Sequence, residues 1–157
     1  MAKVLVAYYS RTGNTETMAQ AVAAGVRSTG VDVVLKPIAE IAPEELPEFE
    51  GLIFGSPSYY GTMPWEMKKL FDESVKFHGQ LAGKIGGAFS SCANVGSGST
   101  TVLDILHVLL VHGLIIQGDA HGDHYGPVSI LAPDSRTVTQ CQALGKRVGE
   151  LVKRLFA

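Results

Sequence analysis

Short, nearly continuous apolar runs alternate along this chain with longer stretches whose apolar positions recur at helical spacing. The first run, residues 3–9, is apolar almost throughout, as a strand covered on both faces should be. A helical pattern follows from Glu16 to about Ser28, with Met18, Ala21, Val22 and Val26 on one face and Gly30 as its stop. Residues 31–35 predict a second strand. Residues 37–47 predict a loop with one short helical turn at 43–46, and residues 51–55 a third strand. Pro64 stands where a first helical turn tolerates proline, and the helix it opens continues through Trp65 to about Val75. Residues 85–90 predict a fourth strand, 100–111 a helix stopped by Gly113, and 114–117 a fifth strand. The last helix runs from about Arg136 to Phe156 and buries a stripe of Val138, Cys141, Leu144, Val148, Leu151, Val152 and Leu155.

Five strands alternating with helices, joined by right-handed crossovers, predict an α/β fold with a parallel sheet covered on both faces. In such a sheet a ligand lies outside the carboxyl ends of the strands, near the switch in strand order. Composition adds bounds. With 157 residues, 46% of them hydrophobic, the chain can build a core without staples, and residues 1–157 read as one domain. A formal net charge of −2 and scattered basic residues disfavour nucleic acid. The N-terminal residues lack a signal-peptide pattern, and no apolar run approaches the roughly 18 residues of a membrane span, so a cytoplasmic location without membrane insertion is expected. Cys92 and Cys141 stand alone, with no C-x-x-C spacing, so neither a disulfide nor a metal site is expected.

The connections after the strands carry the candidate chemistry. After the first comes Ser10-Arg11-Thr12-Gly13-Asn14-Thr15, a hydroxyl-rich turn that opens into a helix. Backbone N–H groups, the positive end of the helix dipole and three hydroxyls converge there, which suits a phosphate dianion. The same turn also reads as a plain N-cap supplied by Asn14 or Thr15. After the third strand comes Pro57-Ser58-Tyr59-Tyr60-Gly61, which offers aromatic and backbone surface to a flat ring. After the fourth comes Ser91-Cys92-Ala93-Asn94-Val95-Gly96, small and polar, with N–H and carbonyl groups but little bulk. Together they describe a site for a mononucleotide with a planar head.

The chain resembles the flavodoxin-fold proteins, and among them the WrbA-type FMN-dependent NAD(P)H:quinone oxidoreductases. The matching pieces are residues 4–19, then Ile53-Phe54-Gly55-Ser56-Pro57 with Tyr60-Gly61 and Met63, then Ala88-Phe89-Ser90-Ser91, His112-Gly113 and Tyr125-Gly126. The phosphate turn itself is closer to the wider flavodoxin pattern. The resemblance implies a five-stranded parallel sheet in the order 2-1-3-4-5 with helices on both faces, a flavodoxin-like three-layer sandwich. It implies FMN as cofactor, with Ser10, Arg11, Thr12, Gly13, Asn14 and Thr15 on its phosphate. Pro57, Ser58, Tyr59, Tyr60 and Gly61 would lie along one side of the isoalloxazine; Ser91, Cys92, Ala93, Asn94, Val95 and Gly96 would border its pyrimidine edge and ribityl chain. His112 would flank the ring, and His112 and Tyr60 would be the catalytic residues.

The activity implied is two-electron transfer from NAD(P)H to quinones, with the hard chemistry carried by the cofactor. The resemblance also implies a homo-oligomer, a dimer or tetramer. Two departures bear on this reading. Tyr59 replaces an arginine of the family, and residues 37–50 are short where the family carries an insertion that helps build its tetramer. Phe77 or His78 is the candidate to replace a family tryptophan over the flavin. His121, Asp123 and His124 have a spacing loose enough for a metal but read better as a polar loop, so no metal is expected. The alternative to the enzyme is a flavodoxin-type electron carrier that passes electrons between partner proteins. Residues 91–99 contain no aromatic and no acid, and the net charge is small, both of which rank the enzyme first.

Overall fold

The computed structural model describes residues 2–156. In chain order the elements are β1 (Lys3–Tyr8), α1 (Asn14–Arg27), β2 (Asp32–Pro37), β3 (Gly51–Pro57), α2 (Trp65–Glu73), β4 (Ile85–Cys92), α3 (Ser97–Val111), β5 (Ile115–Ile116), β6 (Val128–Ile130) and α4 (Ser135–Phe156). Short 3₁₀ turns at Ile38–Glu40, Pro43–Glu48 and Ser74–Phe77 complete the connections. The sheet runs β2-β1-β3-β4-β5, all pairs parallel, as expected. Register brings Tyr8 opposite Pro37 and Gly55, and Pro57 opposite Ser91, so the carboxyl ends of four strands share one edge.

The alternation of strand side chains divides the core in two. On one face Leu5, Ala7, Leu52, Phe54 and Ala88 pack against Met67, Leu70 and Phe71 of α2 and Val102, Ile105 and Leu109 of α3. On the other, Val4, Val6, Ile53, Ile85 and Phe89 pack against Met18, Val22 and Val26 of α1 and Cys141, Leu144, Val148 and Val152 of α4. Strands buried on both sides have no polar face to show, which is why their runs read as continuously apolar. Among the described residues no helix is long and apolar enough to cross a membrane.

The fifth strand departs from expectation. Only Ile115 and Ile116 pair with the start of β4; the chain then leaves the sheet and returns as β6, whose Val128, Ser129 and Ile130 lie beside Ser90, Ser91 and Cys92. β6 was missed because three residues after Gly126-Pro127 are too short a run to carry a strand period. The excursion of residues 117–127 thus flanks the carboxyl edge instead of extending the sheet.

Helices α1 and α4 approach through two glycines. A Cβ on Gly25 would run into the carbonyl of Gln142, and one on Gly145 into the carbonyl of Val22. Both obstacles are backbone, so no rotamer change relieves them. Gly145→Ala is expected to destabilise the fold by about 1–3 kcal/mol through overpacking. That corresponds to a fall of several degrees in Tm, read by thermal unfolding; an unchanged Tm would show that the helices have room for the methyl.

Candidate active edge

Three connections leave the carboxyl edge, and each has its own device for holding shape. In the first, Gly13 takes a left-handed φ of +99° and starts α1 as its N-cap, with no side chain capping the helix. The N-cap role expected of Asn14 or Thr15 is therefore not what these residues do. Ser10 Oγ accepts the Gly13 N–H at 3.1 Å, and the Thr17 hydroxyl donates to the Gly13 carbonyl at 3.0 Å. The first N–H groups of α1 lack intrahelical acceptors and point, with the positive end of the dipole, into the turn that carries Ser10, Thr12 and the exposed Arg11.

In the second connection Tyr59 and Thr62 exchange backbone hydrogen bonds of 2.9 and 3.3 Å. Tyr60 and Gly61 lie between them with φ of +53° and +82°, the signature of a type I′ turn. A tyrosine held there costs about 1–3 kcal/mol and persists only when its surroundings enforce it. The enforcement comes from α3. The Thr100 hydroxyl donates to the Gly61 carbonyl at 2.8 Å, and Asp104 accepts from the Thr62 hydroxyl and from the Met63 N–H. Tyr60 is thereby presented fully exposed at the tip. Asp104 escaped the sequence reading, since a lone carboxylate on a helix means nothing until the turn it holds is known.

The third connection, residues 93–96, is exposed and ends at Gly96, which opens α3 at φ +101°, again without a side-chain cap. Ser91, just before it, joins all three. Its hydroxyl lies 2.8 Å from the buried Thr15 hydroxyl, and its carbonyl accepts the Ser58 N–H at 2.8 Å. Ser58 in turn donates its hydroxyl to the Ser97 carbonyl at 3.1 Å. A cavity of about 220 Å³ opens at this junction, lined by Ser10, Arg11, Thr12, Thr15, Pro57, Tyr59 and Ser91. Ligand pockets commonly span about 300–1,000 Å³. This one has room for only the end of such a molecule, whose remainder would lie along residues 59–61, with Tyr60 exposed, and the exposed residues 93–96.

Tyr9 stands behind Tyr59, on the α2 side of that lining residue. Its ring meets Tyr59 edge-on at 6.1 Å, and its hydroxyl donates to Glu66 Oε1 at 3.3 Å. Burial first, then Tyr59 and Glu66, raise the phenol above its ordinary value, so it remains a donor at neutral pH.

Not every residue expected at this edge is found there. The Cys92 thiol is buried and turned to the Ser129 carbonyl, 3.3 Å away between β4 and β6, which leaves the backbone of this residue nearest the loop. His112 is at the other edge altogether. α3 starts at the carboxyl edge and runs back along the strands for 15 residues, about 22 Å, so its C-cap residue emerges by the amino ends. The His112 ring is buried there, with Nε2 2.8 Å from Ser74 Oγ and Nδ1 without a hydrogen-bond partner among the described residues. His78 lies beside it, ring centres 5.9 Å apart, and Phe77 is in the same turn. His112, Phe77 and His78 therefore do not line the carboxyl edge of this chain.

The group after β5 is built into the excursion. Asp123 pairs with Arg136 at 2.9 Å and accepts the Val128 N–H, while His124 Nδ1 lies 2.7 Å from the Asp119 carbonyl. The Asp119 carboxyl is held below its usual range chiefly by the N–H groups of His121 and Gly122.

His112 has a consequence for acid stability. Burial, and secondarily His78, lower its pKa below 6.5, so the fold favours the neutral ring. As pH falls through the ordinary value, the unfolded chain takes up this proton before the folded one, and stability is lost below that point while being fully present above it. His112→Gln is expected to flatten the loss of stability between about pH 7 and pH 5, measured by urea unfolding across that window. An unchanged slope would assign the acid sensitivity to other groups.

The flavodoxin sequence profile, described simply as Flavodoxin, matches residues 6–101. The chain is 36% identical to a flavodoxin of Clostridium saccharobutylicum, over 98% of this chain and 99% of that protein. It is 40% identical to a flavodoxin of Aquifex aeolicus over 97% of this chain and 88% of that one. It is 32% identical to a protein of Archaeoglobus fulgidus named NAD(P)H dehydrogenase (quinone), over 99% of this chain and 100% of that one. Among solved structures, an archaeal flavodoxin superposes with a TM-score of 0.81 at 32% identity, covering 96% of this chain and 99% of that one. A flavodoxin, WrbA-like protein of Agrobacterium tumefaciens superposes with a TM-score of 0.84 at 25% identity, covering 98% and 99%. With a profile match across more than half its length and relatives above 30% identity along nearly all of it, this chain belongs to the flavodoxin family.

Proposed function

We propose that this chain binds FMN at its carboxyl edge and works as an electron carrier between partner proteins. The residues present fit the cofactor. An uncapped helix N-terminus and the lining residues Ser10, Arg11 and Thr12 meet at one end of the cavity and bring the hydroxyl, cationic and N–H donors that a phosphate dianion takes. From there residues 57–61 and 93–96 offer two strips of surface to a flat ring. Bound there, FMN supplies one- and two-electron redox chemistry.

What the chain itself contributes is position and exposure. Gly13 lets the backbone close on the phosphate, Ser91 fixes the distance between the phosphate turn and the tyrosine hairpin, and Tyr60 offers its ring at the surface. The observation that carries the carrier reading is the make-up of the two strips a ring would lie along. Residues 57–61 and 93–96 hold no histidine and no carboxylate, the side chains that most commonly protonate a bound quinone, and leave only the Tyr59 and Tyr60 phenols as candidate proton donors. An electron carrier needs none. The two relatives named flavodoxin weigh the same way, and together these observations reverse the order in which the sequence alone ranks the two functions.

A second reading keeps one specific support: the Archaeoglobus relative named as a quinone dehydrogenase matches along its entire length. On that reading the bound FMN would supply two-electron chemistry between NAD(P)H and a quinone, and Tyr60 would offer its ring at the stacking face. One experiment separates them. The purified FMN-loaded protein is assayed for NADH and NADPH oxidation with benzoquinone, and separately for relaying electrons from ferredoxin–NADP reductase to cytochrome c. The carrier reading predicts relay activity at least tenfold above the reductase alone, with direct NAD(P)H oxidation no faster than free FMN supports. Rapid direct turnover with benzoquinone would replace it with the second reading.

A further inference from the structure

We propose that a groove beside the cofactor edge, between the turn after β2 and the first two turns of α2, is a second small-molecule site that takes an organic cation with a flat apolar body. Its volume is about 280 Å³, close to the lower end of ligand pockets and enough for one substituted ring. It lies on the far side of the Tyr9–Tyr59 wall from the phosphate turn. None of Ser10, Thr12 or Ser91 lines it, so its occupancy is separable from that of FMN.

The floor is apolar: Ile38, Ile41 and Leu70, with the Trp65 indole at the mouth, 70% exposed. An exposed tryptophan over an apolar floor stacks a flat ring and attracts a cation to its face. The polar demand comes from Glu66. Its Oε1 accepts the Tyr9 hydroxyl, but Oε2 is fully buried and has no hydrogen-bond partner among the described residues. A buried carboxylate oxygen without a donor is unfavourable and calls for one. The terminal torsion of a glutamate is soft, and the bond from Tyr9 is long at 3.3 Å, so a modest carboxylate rotation offers an oxygen to a donor in the groove.

Charge selects the class of donor. Glu73 stands two helical turns beyond Glu66 on the same face of α2, and Lys69 between them is 3.8 Å from Glu73. The lining thus keeps a net negative charge, with Glu66 uncompensated. An anion would meet both carboxylates, and a neutral ring would leave the demand of Glu66 half met. An amidinium or ammonium on a ring satisfies the carboxylate with charge-assisted bonds while its body covers Leu70 and Ile41.

The probe is benzamidinium, titrated into the FMN-loaded protein by calorimetry and by the emission of Trp65, the sole tryptophan of the chain. Saturable binding is expected by both, at least tenfold tighter than for neutral benzamide, with benzoate not binding. Glu66→Gln should weaken benzamidinium at least tenfold with FMN content and Tm retained, and Glu73→Gln, at the outer end of the groove, should weaken it to a lesser degree. Absence of saturable binding by both methods overturns the proposal. So does equal affinity for benzoate or benzamide, or full affinity in both variants. FMN loading is measured in the same samples, so loss of the cofactor edge and loss of this groove are told apart.

Discussion

The hydroxyls of Thr15 and Ser91, buried 2.8 Å apart, tie the start of the first helix to the end of the fourth strand. Between the helix that carries Thr15 and the strand that carries Ser91 lie β2, β3 and α2, yet the site depends on these two residues meeting. Ser91 also accepts the Ser58 N–H, so one residue at the end of β4 sets the spacing of the phosphate turn, the tyrosine hairpin and the exposed loop before α3. In a buried setting a hydrogen bond contributes about 1 kcal/mol net, whereas leaving either partner alone costs about 1–3 kcal/mol. The edge therefore has one good arrangement, and partial ones are penalised.

That arrangement is made before any ligand arrives. The tyrosine hairpin is a strained turn pinned by Thr100 and Asp104 from α3, and the phosphate turn is shaped by Gly13 with donors left uncapped. Strain at Tyr60 and unsatisfied N–H groups at α1 are both unfavourable in isolation. They are sustained by the double-sided core beneath, where β1, β3 and β4 are buried on both faces by four helices. Stability concentrated in the sheet supports an edge organised for binding, which is how a rigid scaffold carries functional loops.

The strands and helices were legible because strands covered on both faces and amphipathic helices produce strong, distinct patterns, whereas the strand order came from the resemblance; the helix face with Met18, Val22 and Val26 is where the pattern placed it. The three connections were legible because Ser, Thr, Gly and Tyr cluster after strands. What escaped depends on three-dimensional partners. The split fifth strand leaves only two and three paired residues, too few for a period to appear. Asp104 acquires meaning only from the turn it holds, and Gly25 and Gly145 only from the helix facing them. His112 was assigned to the cofactor by resemblance, but the direction of α3 carries it a helix length away, to a buried contact with Ser74.

The central claim is that three connections, joined through Ser91, form one site for a flat phosphorylated cofactor. Backbone amide spectra of the FMN-free protein titrated with FMN test it most directly. The account predicts that the large shifts fall on residues 10–16, 58–62 and 92–97, with His78, His112 and the residues around them unmoved. Shifts concentrated at the opposite edge, or confined to one of the three connections, would contradict it.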